Sequence, residues 1–518
     1  MIAAAAALLL ALPLAAAGSA PVRMSERERA IHVLDRLGYG ARQGEVDRVL
    51  KEGVDAWVAR QLRPETIDDS ALDKRLSALP ILRLSGRELY AAYPDDRTST
   101  DGTKPADVAD AMAAAKVLRA VESERQLQEV MTDFWFNHFN VSADKDQDRW
   151  LVSPYERETI RPRVFGRFRD LLGATAHSPA MLAYLDNFRS TIDSRYAPAS
   201  SREAISAMEK KVAVDSMRGD RVKLGLTENY SRELLELHTL GVDGGYTQKD
   251  VVELARILTG WSMVLPRPRN RSEAFEFRFK AQRHDPGPKV FLGQDFPGSG
   301  EDEGERALDL LARRPETAKF IATKLCRRFV SDDPPADMVE RVAARFRESD
   351  GDIRRTLEAL FSDPAFYERR FFRAKVKTPL EFTASALRAS GASLRDPFRV
   401  AQGIADMGQP LYRCDAPTGW PDDARAWINS GAILARTRAA ADLFAGRRDS
   451  PAGADAKALL VATAARGPAS EVSAFTDAFL GGVIGERARV AITARLGASS
   501  PPEAAAAFVL GSPDFQRK

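Results

Sequence analysis

Apolar residues recur at helical spacing along most of this chain. Between residues 26 and 61 they form two such runs, and Val54, Trp57 and Val58 share one face of the second. Glycines punctuate the later runs where helices are expected to stop. The pattern predicts a mainly α protein with a large multi-helix body. The predicted helical runs are 26–61, 108–140, 155–185, 227–240, 248–260, 304–313, 315–330, 335–348, 352–361, 378–391 and 397–407, with three more helices in 450–518.

One stretch has the period of a strand instead. Apolar and charged side chains alternate from Phe275 to Lys280, and Lys289 to Gly293 could supply a partner strand. We therefore predict a small β-hairpin insertion near 275–293. It divides the chain into an N-terminal helical region that carries the main motifs, a hairpin insertion and a C-terminal helical region, with bounds 26–265, 266–302 and 303–518.

The first 20 residues have the character of a targeting segment. From Ile2 to Ala17 the chain has no charge and is mostly Ala and Leu, and Gly18-Ser19-Ala20 then offers the small residues that signal peptidase prefers. We predict a signal peptide over residues 1–20 and a periplasmic or secreted protein, with no membrane span after signal cleavage. An uncleaved anchor is the alternative, because the uncharged run continues to Val22.

Composition narrows the class of protein. Hydrophobic residues make up 44% and charged residues 29% of the chain, which is the balance of an ordinary soluble globular protein. The net charge is only +3, too small for the basic stripe that nucleic-acid binding requires, so we expect no nucleic-acid partner. Two cysteines, Cys326 and Cys414, predict one disulfide in an exported protein, with two buried free thiols as the alternative.

The densest polar segment lies near the middle of the chain. Glu228, Arg232 and Glu236 recur every four residues, a spacing typical of an ion-pair ladder on one helix face. The alternative is catalytic, with Glu233 and Glu236 facing a cleft, because paired carboxylates can divide acid and base roles. His238 completes that candidate set, with Arg232 as a candidate binding residue. The Glu-x-x-His spacing of helical metal sites is absent, and we predict no metal site.

Aromatic residues surround a second polar group, in the sequence FWFNHFNV at 134–141. Aromatic side chains occupy every face of this predicted helix, so it should be buried all round and its polar side chains need partners in the interior. Asn137 and His138 are candidate catalytic residues, and Trp135 and Asn140 are candidate binding residues. The two interpretations are a structural histidine between helices and the polar floor of an aromatic-lined pocket.

Two further polar pairs are candidate binding residues. Asp186 and Asn187 end the helix that follows Pro179, and His284 and Asp285 lie between the two predicted strands. If Asp285 orients His284, the pair could serve as a base; a surface turn is the alternative. The sequence contains no nucleophile elbow, phosphate-binding loop, dinucleotide fingerprint or zinc motif, and it identifies no cofactor.

A series of motifs in fixed order resembles one bacterial family, catalogued as domain of unknown function 1800, over residues 28–516 as one continuous domain. The resemblance implies an exported, mainly helical protein, often encoded beside a second exported family related to sulfatases and phosphatases. It implies no activity, cofactor or catalytic residue. The motifs are FWFNHFNVS (134–142), YERETIRP (155–162), LLGATAHSPAMLAYLDN (171–187), ENYSRELLELHTLGVDGGYT (228–247), ILTGW (257–261), HDPGPK (284–289), KLCRRFV (324–330) and PTGWPD (417–422).

Two functions remain open at this point. The absence of a catalytic signature favours an envelope-associated binding or assembly protein, and the resemblance implies an exported sulfatase- or phosphatase-related protein as its possible partner. The alternative is an exported hydrolase or lyase that acts on envelope or extracellular polymer through buried glutamates and histidines.

Overall fold

Helices dominate the computed structural model, which describes residues 21–94, 102–193, 225–266, 271–461, 467–497 and 500–518 and a few isolated positions between 195 and 207. The predicted mainly α fold is confirmed. The predicted signal peptide, residues 1–20, lies outside the described residues. The α-helices are α1 (Glu26–Arg36), α2 (Glu45–Glu52), α3 (Val54–Gln61), α4 (Ser70–Leu76), α5 (Gly86–Ala92), α6 (Ala106–Glu122), α7 (Gln126–His138), α8 (Asp148–Pro154), α9 (Phe168–His177), α10 (Pro179–Tyr184), α11 (Asn229–Glu233), α12 (Gln248–Ile257), α13 (Asp302–Arg313), α14 (Pro315–Phe329), α15 (Ala336–Glu348), α16 (Ile353–Ser362), α17 (Pro379–Ser390), α18 (Pro397–Asp406), α19 (Ala424–Trp427), α20 (Ser430–Leu443), α21 (Ala456–Val461), α22 (Pro468–Leu480), α23 (Glu486–Arg495) and α24 (Pro502–Leu510).

Short antiparallel strand pairs interrupt the helices, but the predicted pairing is wrong. The segments near 277 and 290 do not pair with each other; each takes another partner. Leu292 and Gly293 both have positive φ, 49° and 76°, so they form a two-residue turn that folds the second segment directly onto the strand after it. The pairs are β1 (Trp261–Met263) with β2 (Phe277–Phe279), β3 (Lys289–Phe291) with β4 (Gln294–Phe296), and β5 (Ser393–Leu394) with β6 (Ala452–Gly453).

A single hydrophobic cluster extends from Met24 to Phe515 and includes residues from both helical regions. Its centre is α6, where twelve of seventeen residues are buried, most of them Ala, Val or Leu. Because small residues allow close approach, α6 contacts α8 and two helices of the C-terminal region, α17 and α18. The N-terminal motifs therefore pack against C-terminal residues. No helix in the described ranges is long and apolar enough to cross a membrane.

Two motif segments continue their α-helices as π-helices. Tyr155–Ile160 follows α8 directly after Pro154, and Leu234–Thr239 follows α11. A π-helix spaces its hydrogen bonds one residue wider than an α-helix and is frequent at functional sites. The helix predicted at 227–240 is therefore α only as far as Glu233, and the wider turn places His238 in the interior.

The disulfide predicted between Cys326 and Cys414 is not formed. Both cysteines are buried free thiols, Cys326 in α14 and Cys414 in the loop before α19. Burial raises the pKa of Cys326 to about 12, so this thiol stays protonated and unreactive.

Candidate functional site

Two motif histidines meet in the interior where α7 ends. His138 and His238 are each 2% exposed, their ring centroids are 6.1 Å apart, and Nε2 of His138 lies 3.1 Å from the backbone oxygen of His238. Burial lowers the pKa of His138 well below its ordinary value and lowers that of His238 to about 3. Both imidazoles are therefore neutral at physiological pH and cannot donate a proton as imidazolium ions.

Helix α14 contributes a line of side chains to the same region. Phe320, Lys324 and Arg328 are four residues apart and share a face, and the Phe320 ring is 6.2 Å from that of His138. Lys324 Nζ lies 5.6 Å from the Phe320 ring. Burial lowers the pKa of Lys324 to about 8, although Asp422 opposes the shift. The ammonium in turn lowers the pKa of both histidines.

Asn137 fastens the loop that carries PTGWPD to the end of α7. Its Nδ2 donates to the Trp420 oxygen at 2.8 Å, and the Trp420 N–H donates to its Oδ1 at 2.6 Å. Gly419, at φ 69°, permits this approach, because a Cβ there would lie 2.4 Å from the Asn137 backbone oxygen. Beside the loop is a narrow polar cleft, lined by Asp133, Phe134, Asn137, Arg328, Thr378, Gln409, Trp420, Pro421 and Asp422.

Three of the predicted binding residues also bond to backbone carbonyls. Asn140 donates to the oxygens of Cys414 and Ala416, both at 2.9 Å. Asn187 donates to the oxygens of Leu258 and Trp261 at 3.2 and 3.1 Å. Trp135 Nε1 donates to the oxygen of Val164 at 3.3 Å. Each of these side chains connects two chain segments through a buried hydrogen bond, which is a structural role.

The glutamates of the polar helix form the ion-pair ladder. Arg232 lies 3.0 Å from Glu228 and 3.6 Å from Glu236, and it also donates to Gln248 at 2.9 Å. Glu233 is only partly buried. Burial raises its pKa, and repulsion from Glu236 adds to the shift. The two predicted catalytic carboxyl groups thus have different surroundings, since Arg232 lies 3.6 Å from Glu236 whereas burial raises the pKa of Glu233.

Asp285 does not orient His284, so the proposed base pair is wrong. Asp285 is bound instead to Arg256 at 2.7 Å and to the Gly287 N–H at 2.8 Å. His284 directs Nδ1 to the oxygen of Thr259 at 2.9 Å, while its Nε2 is 3.3 Å from Glu303. Together with Lys289 of β3 these side chains form a buried group of five, which connects the β2–β4 segment to α12 and α13: Arg256, His284, Asp285, Lys289 and Glu303.

Glu303 is the central residue of that group. Lys289 approaches it at 2.6 Å, and the Gly298 N–H donates to its other oxygen at 2.6 Å. Burial alone would raise the pKa of Glu303, but the neighbouring His284 and Lys289 side chains bring it down to about 2.

Asp186, another predicted binding residue, lies outside this group. It is a partly exposed ion-pair partner, 3.2 Å from Lys145 and 3.5 Å from Arg189.

The sequence profile of the family described as "protein of unknown function (DUF1800)" matches residues 32–517. The chain belongs to this family. No curated protein and no solved structure matches it. Within the ranges that the structure describes, no group of three or more His, Cys, Asp or Glu side chains could hold a metal ion.

The family motifs that meet at the end of α7 include residues that sequence reasoning missed. His138, His238 and Asn137 were predicted. Asn137 and His138 are consecutive residues at the end of α7, and His138 contacts the backbone oxygen of His238. Lys324 and Arg328 were missed, although both lie in KLCRRFV at helical spacing. Glu303, Lys289 and Trp420 were also missed, because pairing across 14 residues or more leaves no local pattern.

Proposed function

We propose that the chain is an exported binding and assembly protein of the bacterial envelope that works with a partner protein. The observation that carries this proposal is how the polar motif side chains are used. Asn137, Asn140 and Asn187 direct their amides to backbone carbonyls within the fold. General acid–base catalysis requires groups that can reach a substrate, whereas these amides bond within the fold, so we favour a binding role over a catalytic one.

Exposed apolar side chains in the C-terminal region support a partner surface. Ile428, Ile433 and Leu434 are 51%, 48% and 51% exposed within seven residues of chain. Exposed apolar side chains that form a contiguous patch mark interaction sites, and these three are close together along the chain. Helix α20, which carries two of them, packs against α24 and so adjoins the last helices of the chain. A sulfatase- or phosphatase-related exported protein is the partner that we propose.

Site-specific photo-crosslinking in the producing bacterium tests this function. A photoreactive residue at Leu434 should give one reproducible protein adduct, whereas the same residue at Lys319, which is 64% exposed on α14, should give none. Cell fractionation of the same strains should place the protein in the periplasm or the medium. The proposal fails if Leu434 gives no adduct that Lys319 lacks, or if the protein stays in the cytoplasm.

A second candidate function is an exported hydrolase or lyase, and the raised pKa of Glu233 is the observation that favours it. A carboxyl group whose pKa is raised by burial and by a neighbouring carboxyl group can act as a general acid. The test compares Glu233→Gln with Glu228→Gln, a matched change at the N-cap of the same helix, in a strain that lacks the gene. Loss of complementation by folded Glu233→Gln alone supports the enzyme, and equal complementation by both variants removes its basis.

A further inference from the structure

The last two long helices of the chain enclose an apolar groove. It lies between α23 (Glu486–Arg495) and α24 (Pro502–Leu510) and has a volume of about 520 Å³. Its floor includes Ala488, Ile492 and Phe508, and Phe508 remains 37% exposed. Ile492 is the one residue of α23 that is buried. The groove therefore leaves apolar side chains exposed to solvent, whereas a surface helix normally packs its apolar face against a neighbouring element.

The rim of the groove is cationic. Arg487, Ala491 and Arg495 line it at intervals of four residues, so they follow one stripe of α23, and the two arginines are about 12 Å apart along the helix axis. Both arginines are exposed. Asp514 lies at the Gly485 end, but it accepts the Gly485 N–H at 3.0 Å and lies 3.7 Å from Arg373, so its charge is already compensated.

We infer that this groove docks an amphipathic helix of the partner, with an apolar stripe and two acidic residues seven or eight positions apart. The inference rests on the proposed binding function and names the chemistry of the partner segment. Acidic residues at that spacing lie about 10–12 Å apart on a helix and match the two arginines. Helices α23 and α24 and the turn at 511–514 line the groove, and none of the lining residues belongs to a strand, so a helix in a groove is the recognition mode that fits.

A synthetic peptide tests the inference directly on the full chain. The probe is a helical peptide with leucines on one face and two glutamates eight positions apart, and its binding is measured by fluorescence anisotropy. The Arg487→Glu/Arg495→Glu variant should bind it about tenfold more weakly, because two favourable rim pairs become repulsive. A peptide with lysines in place of the glutamates should prefer that variant.

Arg489 provides the matched control. It lies on the same helix, pairs with Glu486 at 2.7 Å and does not line the groove, so Arg489→Glu should leave peptide affinity unchanged. Phe508→Ala should weaken both peptides, since it removes part of the floor. Circular dichroism and thermal melting check that every variant is folded. The inference is overturned if the glutamate peptide does not bind the wild-type chain, or binds all variants equally.

The groove and the binding function can fail separately. If Leu434 gives a partner adduct in the cell but the charge-reversal variant gives the same adduct and the peptide does not bind, the partner docks elsewhere and the groove inference is wrong. If the peptide binds as expected but no adduct forms at Leu434 or along the groove in the cell, the groove has the inferred chemistry and the proposed envelope function is wrong.

Discussion

The buried carboxyl group of Asp148 predicts a pH-dependent stability that one substitution can isolate. The residue is 0% exposed, and neither carboxylate oxygen has a hydrogen-bond partner among the described residues. Burial raises the pKa of Asp148 well above its ordinary value. The ammonium of Lys145 offsets this only in part, since it is also 3.2 Å from Asp186, and the charges of Asp146 and Asp186 raise the pKa further.

The sign and size of the effect follow from proton linkage. In the unfolded chain an aspartate has a pKa of about 3.9, so it releases its proton at a pH where folded Asp148 still holds one. Between these two pKa values the unfolding free energy of the wild type falls by about 1.4 kcal/mol per pH unit, because unfolding releases one proton. Asp148→Asn has no proton to release, so its stability relative to the wild type should rise by that amount per unit.

Urea unfolding followed by tryptophan fluorescence measures this difference, with both chains compared from about pH 5 upward. Asp243→Asn is the control, because it makes the same change in charge on an exposed side chain that does not act on the pKa of Asp148. Its effect should stay within about 0.5 kcal/mol at every pH. If the difference between Asp148→Asn and the wild type does not change with pH, Asp148 is ionised in the folded chain and the reasoning is refuted.

Two further predictions use the same folded chain. His177 Nε2 lies 2.9 Å from Glu305, and this contact raises the pKa of His177 although burial alone would lower it. His177→Gln should therefore reduce stability near pH 5 and reduce it much less above the raised pKa. An equal loss of stability at every pH would contradict this. Gly304→Ala would place a Cβ 2.1 Å from the Trp261 ring and should cost about 1–3 kcal/mol, whereas Gly403→Ala, with no atom within 4 Å, should gain about 0.4–1 kcal/mol. Thermal melting compares the two glycine variants. Equal midpoints would show that the Trp261 side chain moves away from the added Cβ at little cost in stability.

The periodicity of apolar residues predicts the helices well because most of them bury one face in a shared core. It cannot predict which strands pair, since the pattern of Phe275 to Lys280 is the same whichever strand lies beside it. The turn at Leu292–Gly293 decides the pairing, and although glycine favours a turn, leucine is an unusual residue at the position before it, which also has positive φ. The π-helix after Glu233 is invisible for a similar reason, because one wider turn leaves the apolar spacing nearly unchanged.

The candidate site is predictable only in part, because its contacts join residues far apart in the chain. The ladder of Glu228, Arg232 and Glu236 is local, and its spacing alone predicts it. His284 is close in sequence to Asp285, yet its charged neighbour in space is Glu303. No spacing rule connects two groups separated by a loop and two strands, so the role of residues at such positions can be inferred only from the structure.

Buried charges also connect the two helical regions that the sequence separates. Arg388 of α17 donates to the backbone oxygens of Gly40 and Val121 at 2.7 and 3.0 Å and lies 3.1 Å from Glu45, with both charged residues buried. Tyr412 donates to the buried carboxylate of Glu156. Each of these donors is in the C-terminal region, and each acceptor is in the N-terminal region.

Cutting the chain at 302/303 should therefore leave neither part able to fold alone. Removing one partner of a buried ion pair such as Arg388–Glu45 costs about 3–5 kcal/mol, because the other charge stays buried without compensation. That cost is comparable to the whole stability of many domains, which is about 5–15 kcal/mol. Separately expressed residues 21–302 and 303–518 should be insoluble or lack cooperative unfolding, and co-expression should restore a soluble complex. If residues 303–518 alone unfold cooperatively, the two regions are independent domains and these buried contacts are not required for folding.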